Sequence, residues 1–190
     1  AALDGFVAEI TLNRPEQLNT FNSGLAAELD QAFKTMDRDN QIRVIIVKGA
    51  GKAFCAGIDV SEFFNKSALE YRQWIERMER PLVTISRISK PVIAQVHGVA
   101  AANGAGLVAA CDLAVAAEGS QFATPGVKIG LFCTTPMVAV SRAIGRKAAM
   151  EMLLTGRYLS AQEAKDLGLI NRVVSLESLE EETEKLAGQI

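Results

Sequence analysis

Two stretches of small residues carry the chemistry this sequence can offer. Ala50-Gly-Lys-Ala-Phe-Cys-Ala-Gly-Ile-Asp59 is a glycine- and alanine-rich loop between a strand and a helical segment that begins near Asp59. Such a loop leaves backbone N–H groups free to point at an anionic oxygen, or at one that becomes anionic during a reaction. It is no phosphate loop, because Gly51-Lys52 is followed by Ala53 in place of Ser or Thr and the preceding glycine spacing is wrong. Taken alone, it is best explained as a tight turn whose small residues permit close packing. Gly98-Val-Ala-Ala-Ala-Asn-Gly-Ala-Gly-Leu-Val-Ala109 runs from a strand through small residues into a helix. Its Gly104-x-Gly106-x-x-Ala109 matches the dinucleotide fingerprint, so a nicotinamide-dependent oxidoreductase is a competing reading. The spacing opposes it: the helix must end before Asp112, and the next acidic strand end, Glu118, comes 14 positions after Gly104, where about 20 are expected. The alternative is that the helix N-terminus near Asn103 and Gly104 gives a backbone donor to an oxyanion, with the helix dipole reinforcing it. Two such loops, each following a strand, make a more specific case together than either does alone.

The remaining reactive residue types are sparse. His97 is the sole histidine, so any Ser-His or Cys-His hydrolase would have to be built around it. It ends a strand before Gly98 and reads as a hydrogen-bonded structural histidine. Asp59, at the start of a helical segment, reads as an N-cap, and Asp112 as a turn anchor. Cys55, Cys111 and Cys133 are odd in number and lack CxxC or Cys/His spacing, which argues against a disulfide framework and against a zinc site. Cys55 and Cys111 read as small packing residues, and Lys52, Lys66 and Lys128 as solvated surface lysines by default.

These residues must be positioned by alternating strands and helices. The apolar stretches Val7-Leu12, Arg43-Lys48, Pro91-His97 and Asp112-Ala117 predict strands buried on both faces of an α/β protein. Between them, Leu25, Leu29, Phe33 and Met36 predict an amphipathic helix over 23–37 that covers the sheet. A longer helix over 67–89 opens on the capping box Ser67-x-x-Glu70, and Pro81 is expected to kink or divide it. Ser160-x-x-Glu163 opens a short helix that Gly168 can end in a left-handed conformation, and Ile170-Val174 reads as a further strand. No linker or low-complexity tract marks a boundary, so residues 1–190 read as one domain. The chain begins without Met and stops inside an acidic amphipathic helix starting near Ser178, so both ends read as incomplete.

With 190 residues, 49% of them hydrophobic and 22% charged, the chain has the composition of a folded domain. Its net charge of -2 supplies no field to draw nucleic acid or an anionic membrane, and no apolar run reaches the roughly 18 to 20 residues of a membrane span. A soluble protein of a reducing compartment is expected.

Phe54-Cys-Ala-Gly-Ile-Asp-Val60, the run from His97 to Asp112, Phe122-Ala-Thr-Pro-Gly-Val-Lys-Ile-Gly130, and Met152-Leu-Leu-Thr-Gly156 through Ser160-Ala-Gln-Glu-Ala164 and Gly168-Leu-Ile170 resemble the crotonase superfamily, the enoyl-CoA hydratases and isomerases. Leu12-Asn-Arg-Pro15 with Leu18-Asn19 is similar to that family too, while Phe122-Ala-Thr-Pro-Gly126 and Gly130-Leu-Phe-Cys133 mark one branch of it. The resemblance implies an α/β crotonase-like spiral of repeated ββα units, assembled into trimers or hexamers, with a C-terminal helical region that lies largely beyond Ile190. It implies a lyase or isomerase of fatty-acid or related acyl-CoA metabolism, in bacterial cytoplasm or in a mitochondrial matrix. Coenzyme A arrives as part of the substrate, and no bound cofactor or metal is expected.

By motif position, the resemblance gives the thioester oxygen two backbone donors, Ile58 and Asn103. Relatives usually have Gly at the second; because the donor is main chain, Asn serves if it can adopt the backbone conformation. Leu18, Ala56, Gly57, Asp59, Gly104 and Pro125 complete the implied substrate-binding set. The two glutamates that handle water and protons in hydratases of the family fall at Gly106 and Gly126, which transfer no proton. Acid–base groups contribute about 10² to 10⁴ in rate, so ordinary hydration is expected to be crippled. An oxyanion donor, worth about 10² to 10³, is retained. A water held by Thr124, Cys133 or Thr134 is the replacement the sequence offers. The alternatives are a non-catalytic acyl-CoA-binding protein or a different crotonase-type reaction. Ser61 stands where the family usually has a lysine two positions after Asp59, which weakens the implied contacts to CoA phosphates.

Overall fold

In the computed structural model, residues 3–190 are described. The apolar runs form the middle of a six-stranded sheet. In chain order its strands are β1 (Leu3–Asp4), β2 (Val7–Leu12), β3 (Val44–Gly49), β4 (Val92–Val96), β6 (Leu113–Ala117) and β9 (Arg172–Val174). They lie side by side in that same order, all parallel except β1, which runs antiparallel to β2. Every residue of β4 is buried. On β3, Ile45 and Val47 join the core under the central helices while Val44 and Ile46 join a second core on the other face. That two-sided burial is why these strands read as continuous apolar runs without alternation. Three short strands, β5 (Val99–Ala101), β7 (Gln121–Ala123) and β8 (Tyr158–Ser160), make a second sheet in the order β5-β7-β8. Three residues are too few for a period-two signal, and sequence patterning missed all of them.

Helix α1 (Ser23–Arg38) starts where the Asn22 side chain accepts the Leu25 N–H at 2.8 Å, and it buries Leu29, Phe33 and Met36 as predicted, with Leu25 half-buried. Helix α2 (Ala68–Ile85) has the predicted reciprocal capping box between Ser67 and Glu70. It runs unbroken through Pro81, against the expectation of a division there. Proline removes one helical hydrogen bond, but Pro81, Leu82 and Ile85 are buried, and packing outweighs the local loss. Helix α3 (Asn103–Ala110) is short, made of small and apolar residues, and buried over its first six positions. Helices α4 (Thr134–Ala143) and α5 (Arg146–Thr155) follow, then α6 (Ala161–Asp166) behind the Ser160/Glu163 capping box, with Gly168 at φ +86°. Helix α7 (Leu179–Ala187) covers the far face of the sheet through Leu179, Leu186 and Ala187. The sequences β4-β5-α3 and β6-β7-α4 each pass from the large sheet through the small sheet to a helix, the repeated ββα unit of a crotonase spiral. Among the described residues, no helix is long and apolar enough to cross a membrane.

Candidate active site

The loop over 50–59 is held from both sides. Asn19, fully buried and at φ +56°, donates its amide to the carbonyls of Ala50 and Ala53 at 2.8 Å each, and its Oδ1 accepts the Arg14 N–H at 2.9 Å. Leu18, its side chain 43% exposed, accepts the Ala56 N–H on its carbonyl at 2.9 Å. On the other side Cys55 bridges in parallel to Ala100, so the loop extends the small sheet. A second parallel bridge joins Phe21 to Ile58: the Phe21 N–H donates to the Gly57 carbonyl and the Asp59 N–H to the Phe21 carbonyl, both at 2.8 Å. In a parallel bridge the residue flanked by the two bonds turns its own N–H the other way. The Ile58 N–H therefore faces away from Phe21.

Helix α3 approaches from the other side. Ala102, at φ 46° and ψ -115°, turns the chain sharply out of β5, and Asn103 is the first residue of the helix. The N–H of a first helical residue has no partner within the helix. Gly104 allows the approach: a Cβ there would lie 2.1 Å from the Cys55 carbonyl oxygen. That close approach of α3 to the loop accounts for the glycine at 104 without a dinucleotide. The Asn103 side chain points back to α2, donating to the Met78 carbonyl at 3.3 Å.

Ile58 and Asn103 line one cavity of about 330 Å³, together with Ala56, Pro125, Gly126, Cys133 and Thr134. Its remaining walls are largely apolar, with Phe63, Trp74, Ile75, Leu131 and Phe132 prominent. Among the described residues, Lys128 is the only charged one at the cavity and no carboxylate lines it. Lys128 sits with its Nζ 5.4 Å from the centre of the Tyr158 ring. Gly126 is at the wall, and its N–H donates to Cys133 Sγ at 3.3 Å. A Cβ on Gly126 would meet that sulfur at 2.7 Å and the Leu131 carbonyl oxygen at 2.8 Å. Burial pushes the Cys133 thiol up, partly offset by the Gly126 N–H, so the sulfur is a protonated thiol near neutral pH.

Gly106 does not line the cavity. A Cβ there would lie 2.8 Å from Pro136 Cβ and 3.0 Å from Pro136 Cα and Leu82 Cδ2, so the first turn of α4 closes over it. Leu18, Gly57, Asp59 and Gly104 also stand behind the cavity, shaping the loop and the helix start without entering its lining. Asp59 caps the 3₁₀ turn Val60–Phe63 by accepting from Ser61 and pairs with Arg14 at 2.9 Å; the Ser61 and Arg14 contacts hold its carboxyl below the usual range. Thr124 is fully buried outside the lining, its hydroxyl without a protein partner among the described residues. His97 bonds to the Gly51 carbonyl at 2.8 Å and Asp112 to the Val92 N–H at 2.8 Å, both structural as expected. Cys55 is buried, its thiol pushed up to about 12 by desolvation. Lys66 lies over the Trp74 ring, 5.8 Å from its centre, and Lys52 is exposed.

Four aromatic residues follow the loop in sequence: Phe63, Phe64, Tyr71 and Trp74. Phe63 and Trp74 reach the cavity; Phe64 is 69% exposed, and Tyr71 turns its hydroxyl to the Phe63 carbonyl. Pro136 was missed, since nothing in Thr134-Thr-Pro136 signals contact with a glycine 30 positions earlier.

The sequence profile of the enoyl-CoA hydratase/isomerase family matches residues 3–190. The zebrafish (Danio rerio) mitochondrial enoyl-CoA hydratase domain-containing protein 3 is 43% identical over 188 residues, covering 98% of this chain and 65% of that protein. The human protein of the same name is 41% identical over 189 residues, covering 99% and 62%. The chain thus spans less than two thirds of the length of these relatives. The crystal structure of the human protein superposes with a TM-score of 0.94 at 40% identity, covering 100% of this chain and 75% of that one. That of an enoyl-CoA hydratase from Mycobacterium smegmatis superposes with 0.94 at 46% identity, covering 97% and 72%. By the profile match over nearly its whole length and by these identities, the chain belongs to the enoyl-CoA hydratase/isomerase family.

Proposed function

We propose that this protein binds an acyl-CoA thioester and polarises its carbonyl between the backbone N–H groups of Ile58 and Asn103, without the paired-carboxylate acid–base chemistry of ordinary hydration. The observation that carries this reading is the pairing of two strand- and helix-held amides in one largely apolar, carboxylate-free cavity. Charge that develops on a thioester oxygen during enolate formation is worth most to such donors where water is excluded and the donors need not reorganise. The dipole of α3 adds to this at its first residue. The apolar walls suit an acyl chain, and Lys128 offers one cation to an anionic part of the ligand. Cys133 and Thr134 are the polar side chains placed to hold a water; neither replaces a carboxylate base, since the Cys133 thiol is raised and a threonine hydroxyl does not ionise near neutral pH.

Binding of a thioester with little hydration is the expected behaviour. The three cysteines, all free, suit a reducing compartment, either the bacterial cytoplasm or the mitochondrial matrix that the relatives' names indicate. A trimer or hexamer is the assembly proposed, on family grounds, and light scattering measures it. The functional test is the loss of the conjugated-thioester absorbance of crotonyl-CoA and a longer enoyl-CoA, with CoA-thioester binding measured on the same sample. Binding with turnover well below about 1 s⁻¹, the low end for typical enzymes, is expected. Faster turnover would refute the loss of acid–base function, and absence of thioester binding would refute the reading as a whole.

A further inference from the structure

One wall of the cavity is formed by Trp74, the only tryptophan in the sequence and 1% exposed. Its ring meets Phe63 edge to face, with centroids 5.6 Å apart. Its indole N–H donates to Glu62 Oε2 at 2.9 Å. The same carboxylate accepts the Ser23 N–H at 3.0 Å and the Ser23 hydroxyl at 2.8 Å. Glu62 therefore gathers donors from the first residue of α1 and from α2, and it sits in the 3₁₀ turn that supplies Val60 and Phe63 to the cavity wall. A carboxylate only accepts: Oε2 takes all three bonds and Oε1 also lies 3.2 Å from the Ser23 N–H, so in either orientation an amide would set its NH₂ group against a donor. Burial works to raise the Glu62 pKa, but the bonds from Trp74 and Ser23 outweigh it and hold the carboxyl below the usual range. Among the described residues, no cation forms an ion pair with its carboxylate, and it does not line the cavity itself.

We propose that Glu62 is a positioning residue that fixes the Trp74 indole and thereby sets which acyl-chain length the cavity accepts. This rests on the acyl-thioester reading above. With the N–H bond in place, the ring is held in one orientation against Phe63; without it, the ring is free to turn and the wall yields to a longer chain. A single methylene in an apolar pocket is worth about 10- to 200-fold in discrimination, so a wall that moves by that much leaves a measurable signature.

The test titrates butyryl-CoA and dodecanoyl-CoA, saturated thioesters with no double bond to hydrate, into the wild type, Glu62→Gln, Trp74→Phe and the double variant. Calorimetry gives both affinities for each, and the emission of the lone tryptophan supplies an independent signal in the wild type and Glu62→Gln. Glu62→Gln is expected to shift the ratio of the two Kd values toward the long chain by at least about tenfold, the low end of the methylene effect. Trp74→Phe, which keeps an aromatic ring and removes the N–H, shifts it in the same direction, and the double variant goes no further than Trp74→Phe alone. An unchanged ratio in Glu62→Gln, or shifts that simply multiply in the double variant, overturns the proposal. If Glu62→Gln fails to fold, an unchanged ratio in Trp74→Phe overturns it alone. Absence of binding of either thioester to the wild type defeats the acyl-thioester reading, a result distinct from a ratio that does not move.

Discussion

Adding a side chain at residue 106 is the direct way to ask whether this site can be given the proton-transfer group its lining lacks, and the packing makes the fold resist. A Cβ at Gly106 has two kinds of neighbour: the far end of Leu82, which rotates away at little cost, and Pro136, whose ring and Cα belong to the first turn of α4. Ordinary contact begins near 3.4 Å and the Pro136 Cβ contact is 2.8 Å, so the start of α4 must retreat by about half an ångström. Overpacking of this kind costs about 1–3 kcal/mol, and replacing a helical glycine returns about 1 kcal/mol. Gly106→Ala is therefore expected to destabilise by about 1 kcal/mol, or roughly 2–4 °C in Tm for a domain of this size. Gly24 is the internal control, since it is exposed in α1 and a Cβ there would meet only Asn22 Oδ1, at 3.5 Å. Gly24→Ala should stabilise by up to about 1 kcal/mol, so the same chemical change gives opposite signs at the two sites. Urea denaturation measures both, with an unchanged m-value showing that the difference lies in stability. If Gly106→Ala stabilises as Gly24→Ala does, then the first turn of α4 yields freely and the argument from Pro136 is wrong. Under that argument Gly106→Glu/Gly126→Glu gains less hydration of crotonyl-CoA than the roughly 10² to 10⁴ each correctly placed acid–base group supplies.

Asn19→Ala leaves the Ala50 and Ala53 carbonyls and the Arg14 N–H without their partner; at about 1–3 kcal/mol for each buried unpaired group, it is expected to lower stability by several kcal/mol and to weaken thioester binding, both measurable on one sample. Asp30, Asp37, Asp59 and Glu62 all have folded pKa values below their ordinary ones, so their contribution is full above the unfolded values and is lost as pH falls through the folded ones. Denaturation midpoints should therefore be insensitive to these groups above about pH 5 and drop below about pH 4, less steeply in Glu62→Gln; an identical acid slope in that variant would remove Glu62 from the account. Cys133, half-buried with a raised pKa, is expected to react with iodoacetamide at pH 7.5 more slowly than a free thiol and more slowly still with acyl-CoA present; labelling that ligand does not slow would place the sulfur outside the ligand's reach.

Much of the fold was legible because its determinants are local. The four apolar runs became β2, β3, β4 and β6 to within a residue or so, since burial on both faces of a parallel sheet demands unbroken apolar sequence. Both capping boxes formed, because each needs only residues three apart. Pro81 misled for the complementary reason: local chemistry argues for a break, and tertiary packing of Leu82 and Ile85 overrides it. The short strands of the second sheet had no signal of their own, because their pairing partners, such as Ala101 with Ala123, are distant in the chain.

The site divides along the same line. By itself, the sequence determined the family, the two glycine-rich backbone turns, the lone tryptophan and histidine, and the glycines at 106 and 126. Only the tertiary structure decided that Ile58 and Asn103 face one cavity, that Pro136 seals Gly106 while Gly126 opens onto Cys133, and that Glu62 holds Trp74. The first group rests on the chemistry of residues adjacent in the chain; the second rests on contacts between segments whose distance is fixed only when the core is packed, and a packed interior transmits the size of one side chain to another far away in sequence.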